Sequence, residues 1–98
     1  MKVIAKAPHE APIILEMENT LEALQAAVGG YIETLTITSD ACIVCNEEGA
    51  INDMPFNCRL MGQQFFGPIL VVGVKGDEFT DIYSPEETAK FLFGEVIE

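Results

Sequence analysis

Tyr31-Ile-Glu-Thr-Leu-Thr-Ile-Thr38, then Ser39-Asp40, then Ala41-Cys-Ile-Val-Cys45 is the stretch that decides the fold. Its first run is rich in β-branched residues and alternates, with Leu35 and Ile37 on one face and Thr34, Thr36 and Thr38 on the other. Ser39-Asp40 has the two-residue length of a hairpin connection. Ala41–Cys45 is the returning strand, so the stretch reads as an antiparallel hairpin.

Toward the N-terminus, residues 2–6 and 13–17 read as two strands joined by a turn with prolines near both ends, Pro8 and Pro12. Between them and the deciding hairpin the spacing predicts a helix over 20–28. Asn19 is placed to cap it, Glu22 to reach back in a capping box, and Leu21, Leu24 and Val28 fall on one face. Gly29-Gly30 supplies the left-handed exit. Toward the C-terminus, Asn46-Glu47-Glu48-Gly49 turns the chain, and Ala50-Ile51 is expected to add a short pairing. Residues 52–64 read as irregular, with one helical turn near 57–61. Residues 67–74 read as a buried strand, with its proline at the start where no ladder donor is needed. Residues 75–81 read as a loop. Ser84-Pro85-Glu86-Glu87 is a helix start in which serine caps, proline takes the first position and Glu87 closes a capping box. Phe91, Leu92 and Val96 give that helix an apolar face. The order β-β-α-β-β-(β)-β-α predicts a single α+β domain over 1–98. Its sheet is mostly antiparallel, of about five strands, with two helices packed on it.

Sixteen acids against five bases give the 98-residue chain a formal charge of −11, while 49% of it is hydrophobic. The apolar content excludes a disordered acidic tail. The charge opposes direct binding to nucleic acid or to an anionic membrane, and favours a basic protein surface. Residues 1–5 are too short and too soon interrupted to be a signal peptide, and no apolar run approaches the roughly 20 residues that span a bilayer. Three cysteines suit reduced thiols in a cytoplasm better than a secreted disulfide framework.

The inventory of reactive groups is thin, and no enzyme is expected. Ser84 is assigned to a helix cap, Ser39 to a hairpin turn, and the one histidine, His9, to a loop. Cys42-Ile-Val-Cys45 has C-x-x-C spacing, but along a strand the two Cα atoms lie about 10 Å apart with side chains on opposite faces, too far for a disulfide. Cys42, Cys45, Cys58 and His9 make a Cys₃His zinc set by count alone, without the usual spacing, and no metal or other cofactor is expected. Acids at helix starts (Glu22, Glu86, Glu87) are explained by the helix dipole. Glu47, Glu48, Asp53, Asp77, Glu78 and Asp81 are not, and as loop residues they are the candidate partner-binding set.

Several short elements together resemble a family. Leu21-Glu-Ala-Leu-Gln25, Val28-Gly-Gly-Tyr-Ile-Glu33, Cys45-Asn-Glu-Glu-Gly49, Met54-Pro-Phe-Asn57 and Gly67 through Val71-Val-Gly73 resemble a domain of unknown function found in Gram-positive bacteria, their phages and conjugative elements. Asn46, Gly49, Pro55 and Asn57 fall on its motifs. The family usually carries an arginine directly after the last asparagine; here Cys58 stands there and Arg59 follows. The resemblance implies a mobile-element origin and no activity. Charge, inventory and resemblance together predict a non-enzymatic acidic inhibitor. It would occupy the basic surface of a host nucleic-acid-binding defence enzyme, as anti-CRISPR or anti-restriction DNA mimics do. The alternative is a small-molecule or zinc-binding regulatory module built on the polar central stretch.

Overall fold

The computed structural model describes residues 1–94. In chain order the elements are β1 (Lys2–Lys6), β2 (Ile13–Glu16), α1 (Leu21–Val28), β3 (Ile32–Thr38), β4 (Ala41–Asn46), β5 (Phe56–Leu60), β6 (Gln63–Phe66), β7 (Ile69–Lys75), β8 (Glu78–Thr80) and α2 (Pro85–Phe93). The fold is α+β with an antiparallel sheet, as the alternation predicts. The main sheet has six strands, ordered β2-β1-β7-β4-β3, with β8 added beside β7.

β4 and β7 explain the layering. β4 is buried throughout and β7 over its first five residues, so both faces of the sheet must be covered. Period-2 alternation sends Val3, Cys42, Val44, Leu70 and Val72 to one face, where Leu24 and Val28 of α1 cover them. Ile4, Ile43, Cys45, Ile69 and Val71 point to the other, beneath Leu60 and Phe65 of the β5–β6 hairpin and Ala89 of α2. Three layers result, with two apolar cores divided by the sheet.

Several local expectations are corrected. The cap of α1 is Thr20, whose Oγ1 accepts from the Ala23 amide at 3.1 Å. Asn19 lies one residue outside the cap position, and its Nδ2 donates to the Phe79 carbonyl at 2.8 Å. Ala50-Ile51 forms no strand and lies within a run of turns. Residues 52–64 contain no helical turn. They run into the β5–β6 hairpin, whose two-residue connection Met61-Gly62 has φ of 52° and 77°, the signature of a type I′ turn. Methionine in place of the usual Asn or Asp hides that turn from the sequence. The loop at 75–81 contains β8, returned by Gly76-Asp77 with Gly76 at φ 64°. Ser84 precedes α2, but its φ of 47° turns the side chain away and it makes no capping bond. Val96 lies outside the described residues.

Gly73 sits where β7 has a partner on each side, Ala41 and Thr80. A Cβ there would run into the Asp81 carbonyl oxygen, which is backbone and cannot yield. Gly73→Ala is expected to lower stability by about 3 kcal/mol in chemical denaturation. Gly62→Ala, where a Cβ meets nothing within 4 Å, should cost about 1 kcal/mol through its positive φ alone.

Candidate functional site

The strand register fixes which loops are neighbours. Ala41 pairs with Gly73, Lys2 pairs with Glu16, and the Val74 amide donates to the Asp40 carbonyl at 2.8 Å. The β3–β4 turn, the β7–β8 turn, the end of β2 and the start of β1 therefore share one end of the sheet. Asn19 ties the β2–α1 loop to β8, and the Ile82 amide donates to the Lys2 carbonyl at 2.9 Å, which brings the start of α2 to the same end. Gathered there are Glu16, Glu18 and Glu22, Asp40, Asp77 and Glu78, Asp81, and Glu86 and Glu87. The basic groups at this end are Lys2, Lys75 and the amino terminus, the last paired with Glu16 at 3.6 Å. Asp81 is partly occupied: its Oδ1 accepts from the Lys2 amide at 2.8 Å.

The candidate set is thus divided. Asp77, Glu78 and Asp81 lie at this acidic end. Glu47, Glu48 and Asp53 lie beyond the far end of β4, on the order of 20 Å away at about 3.3 Å per strand residue. Sequence reasoning grouped the acids by loop. It missed that Glu16, Glu18 and Asp40 join Asp77 and Glu78, because that requires the strand order.

The central stretch has a structural task. The Asn46 amide is buried, donates to the Val28 carbonyl at 3.1 Å and accepts from the Glu48 amide at 2.7 Å. Asn57 is also buried. Its Nδ2 donates to the carbonyls of Lys6 and Gly67 at 2.8 Å each, and its Oδ1 accepts from Lys6 Nζ at 3.0 Å. The Pro55 carbonyl accepts from the Gly67 amide at 2.8 Å. Gly49 lies against β6, where a Cβ would stand 2.6 Å from the Phe66 carbonyl oxygen. All four motif positions therefore make contacts within the fold: Asn46 with the end of α1, Gly49 with β6, Pro55 with Gly67, and Asn57 with β1 and Gly67. The two asparagine amides are engaged within the protein, and Arg59 is exposed on β5.

The cysteines are divided by the sheet. Cys42 belongs to the core under α1, and Cys45 and Cys58 pack in the other core. Burial raises all three thiol pKa values; for Cys45, with the Glu33 carboxylate adding to it, the value reaches about 11. Lys6 partly offsets the rise at Cys58. Such thiols are protonated at neutral pH and weak nucleophiles. His9 lies exposed in the β1–β2 turn. Among the described residues no three His, Cys, Asp or Glu side chains gather in a metal-binding group.

A family model described as a domain of unknown function (DUF3846) matches residues 1–93. The chain belongs to this family. No curated protein and no solved structure matches it. In this DUF3846 chain no described helix is long and apolar enough to cross a membrane. Beside the acidic end lies an open cavity of about 410 Å³ between the β3–β4 turn and α2, with Ile37, Tyr83, Phe91 and Leu92 among its walls and Asp40 and Glu87 among its polar groups. Tyr83 and Phe91 are 83% and 85% exposed. Sequence reasoning had placed Phe91 on the packed face of the helix.

Asn57→Ala would strand the buried Gly67 carbonyl and the part-buried Lys6 carbonyl and is expected to lower stability by about 2 kcal/mol, read by urea denaturation. The raised thiol pKa values make part of the stability depend on pH on the alkaline side. A thiol whose folded pKa lies above its unfolded one stabilises the fold fully below the unfolded value. That contribution is lost as pH rises through the folded one. Stability should therefore fall from the ordinary thiol range up to about 11, and Cys45→Ser should reduce that slope.

Proposed function

We propose that this DUF3846 domain is a non-enzymatic acidic interaction protein that binds a basic protein surface through the end of the sheet where β1 and α2 begin. The observation that supports this reading is the convergence of Glu16, Glu18, Asp40, Asp77, Glu78 and Glu86 from four separate loops onto one end, with only two lysines among them. Both helices also begin at this end, so their dipoles offset part of the repulsion among the acids. A net charge of −11 strengthens long-range attraction to a basic partner and repels nucleic acid and anionic lipid.

The finer reading is an inhibitor of phage or mobile-element origin that acts in the cytoplasm. It would cover the nucleic-acid-binding surface of a host defence enzyme, in the manner of anti-CRISPR or anti-restriction proteins. Such a surface normally holds phosphates, and clustered carboxylates present the same charge without a cleavable backbone. The alternative of a small-ligand module loses support, since Asn46 and Asn57 are committed to holding loops.

The test is inhibition of DNA cleavage by purified restriction and CRISPR nucleases, with competition against DNA. The expected inhibition weakens as salt rises. Reversing Glu18, Asp77, Glu78 and Glu86 to lysine should reduce affinity at least tenfold, while reversing Glu47, Glu48 and Asp53 should have a much smaller effect. Equal loss from both sets, or inhibition insensitive to salt, would remove the reading.

A further inference from the structure

The outer edge of β3 has no strand partner among the described residues. Natural edge strands are commonly blunted by shortness, proline or lysine. Ile32–Thr38 has seven residues and neither of those two residue types, and Glu33 is its one charge. The opposite edge strand, β2, has four residues and follows directly on Pro12.

The hydrogen-bond phase of β3 can be read from its inner side. The Glu47 amide donates to the Tyr31 carbonyl at 2.9 Å, and the Cys45 thiol approaches the Glu33 carbonyl at 3.6 Å. Tyr31 and Glu33 therefore turn their backbone groups toward β4. Alternation directs those of Ile32, Thr34 and Thr36 outward. The bulge lies between Thr36 and Thr38 and ends the regular stretch there. Three consecutive outward positions are left free.

We propose that β3 pairs antiparallel with β3 of a second copy, about a two-fold axis at Thr34. Thr34 then faces Thr34 of the other copy, and Ile32 faces Thr36 in both directions. The main sheet continues across the junction without a break. In this register Glu33 stands opposite Leu35 of the other copy, and Tyr31, just before the strand, comes beside Ile37 in the bulge. A two-fold axis normal to the sheet keeps faces matched, so Tyr31 arrives on the side that carries α2. Ile37 is a wall of the 410 Å³ cavity beside Phe91 and Leu92. Tyr31 is 70% exposed in the monomer and has the shape such a cavity takes: an apolar ring with a hydroxyl that can donate to the Asp40 or Glu87 carboxylate. The interface is self-complementary, as a two-fold requires. Glu33 is the one charged residue of the edge strand, and in this register it faces Leu35 of the other copy and not its own counterpart. The pairing leaves Glu16, Glu18, Asp77, Glu78 and Glu86 free and shares only Asp40 with the surface proposed above, so the two readings are tested by different variants.

The test is sedimentation equilibrium of the purified chain across protein concentration and salt. A mass of twice 10.7 kDa is expected, with tighter dimers at about 0.5 M NaCl because salt screens the net repulsion. That salt trend is opposite to the one expected for a basic partner. Tyr31→Ala, at an exposed side chain, should weaken the dimer at least tenfold while leaving the circular dichroism spectrum unchanged. Thr34→Pro, which removes an outward N–H, should abolish it. A monomer at every concentration and salt, or a dimer indifferent to Tyr31→Ala, would overturn the proposal.

Discussion

Two strands buried on both faces set the terms for everything else in this molecule. β4 and β7 lie side by side in the middle of the sheet, and neither presents a polar side to water. A chain of 98 residues can cover both faces only by spending nearly all its other elements on the task. α1 covers one face, and the β5–β6 hairpin with α2 covers the other. Charge has no place within these layers. Most of the acids are therefore displaced to the loops and helix starts at the two ends of the strands, and the antiparallel register decides which of these become neighbours.

That displacement separates structure from recognition along the sequence. The stretch from Asn46 to Asn57 is polar and rich in turns, and such a stretch invites a binding role. Its buried amides serve the fold instead: Asn46 holds the end of α1 to the end of β4, and Asn57 clamps β1 to the segment entering β7. Their hydrogen bonds replace a secondary-structure ladder where the chain has none, which is how buried loop backbone is satisfied. Among the described residues no buried side-chain polar atom is left without a partner. The candidate interaction surface lies at the other end, on residues that make few internal bonds.

Most of the fold was legible because it rests on local periodicity. The alternation of Leu35 and Ile37, the Leu24–Val28 face and the Pro8–Pro12 turn each carry their own signal. The misses have local causes too. Met61 stands where a type I′ turn usually has Asn or Asp, so the β5–β6 hairpin read as irregular. Gly76-Asp77 is a recognisable turn, but the returning strand is only three residues long and begins with an acid. Ser84 matches the capping pattern in sequence and fails it in φ. The candidate site was half legible: the acids could be named, and the opposite-face placement of Cys42 and Cys45 followed from strand geometry. Which acids meet depends on β7 lying between β1 and β4. That order is set by long-range pairing, which no short window of sequence contains.

The acids of the β2–α1, β3–β4 and β7–β8 loops and the start of α2 are proposed to act as one surface. The most direct measurement is a ¹H–¹⁵N NMR titration of the chain with a short lysine- and arginine-rich peptide at low salt. Shift changes are expected to concentrate at residues 16–22, 40, 77–81 and 86–87, with little change at 47–53. Equal changes at both ends of the sheet, or changes centred on Glu47, Glu48 and Asp53, would contradict it.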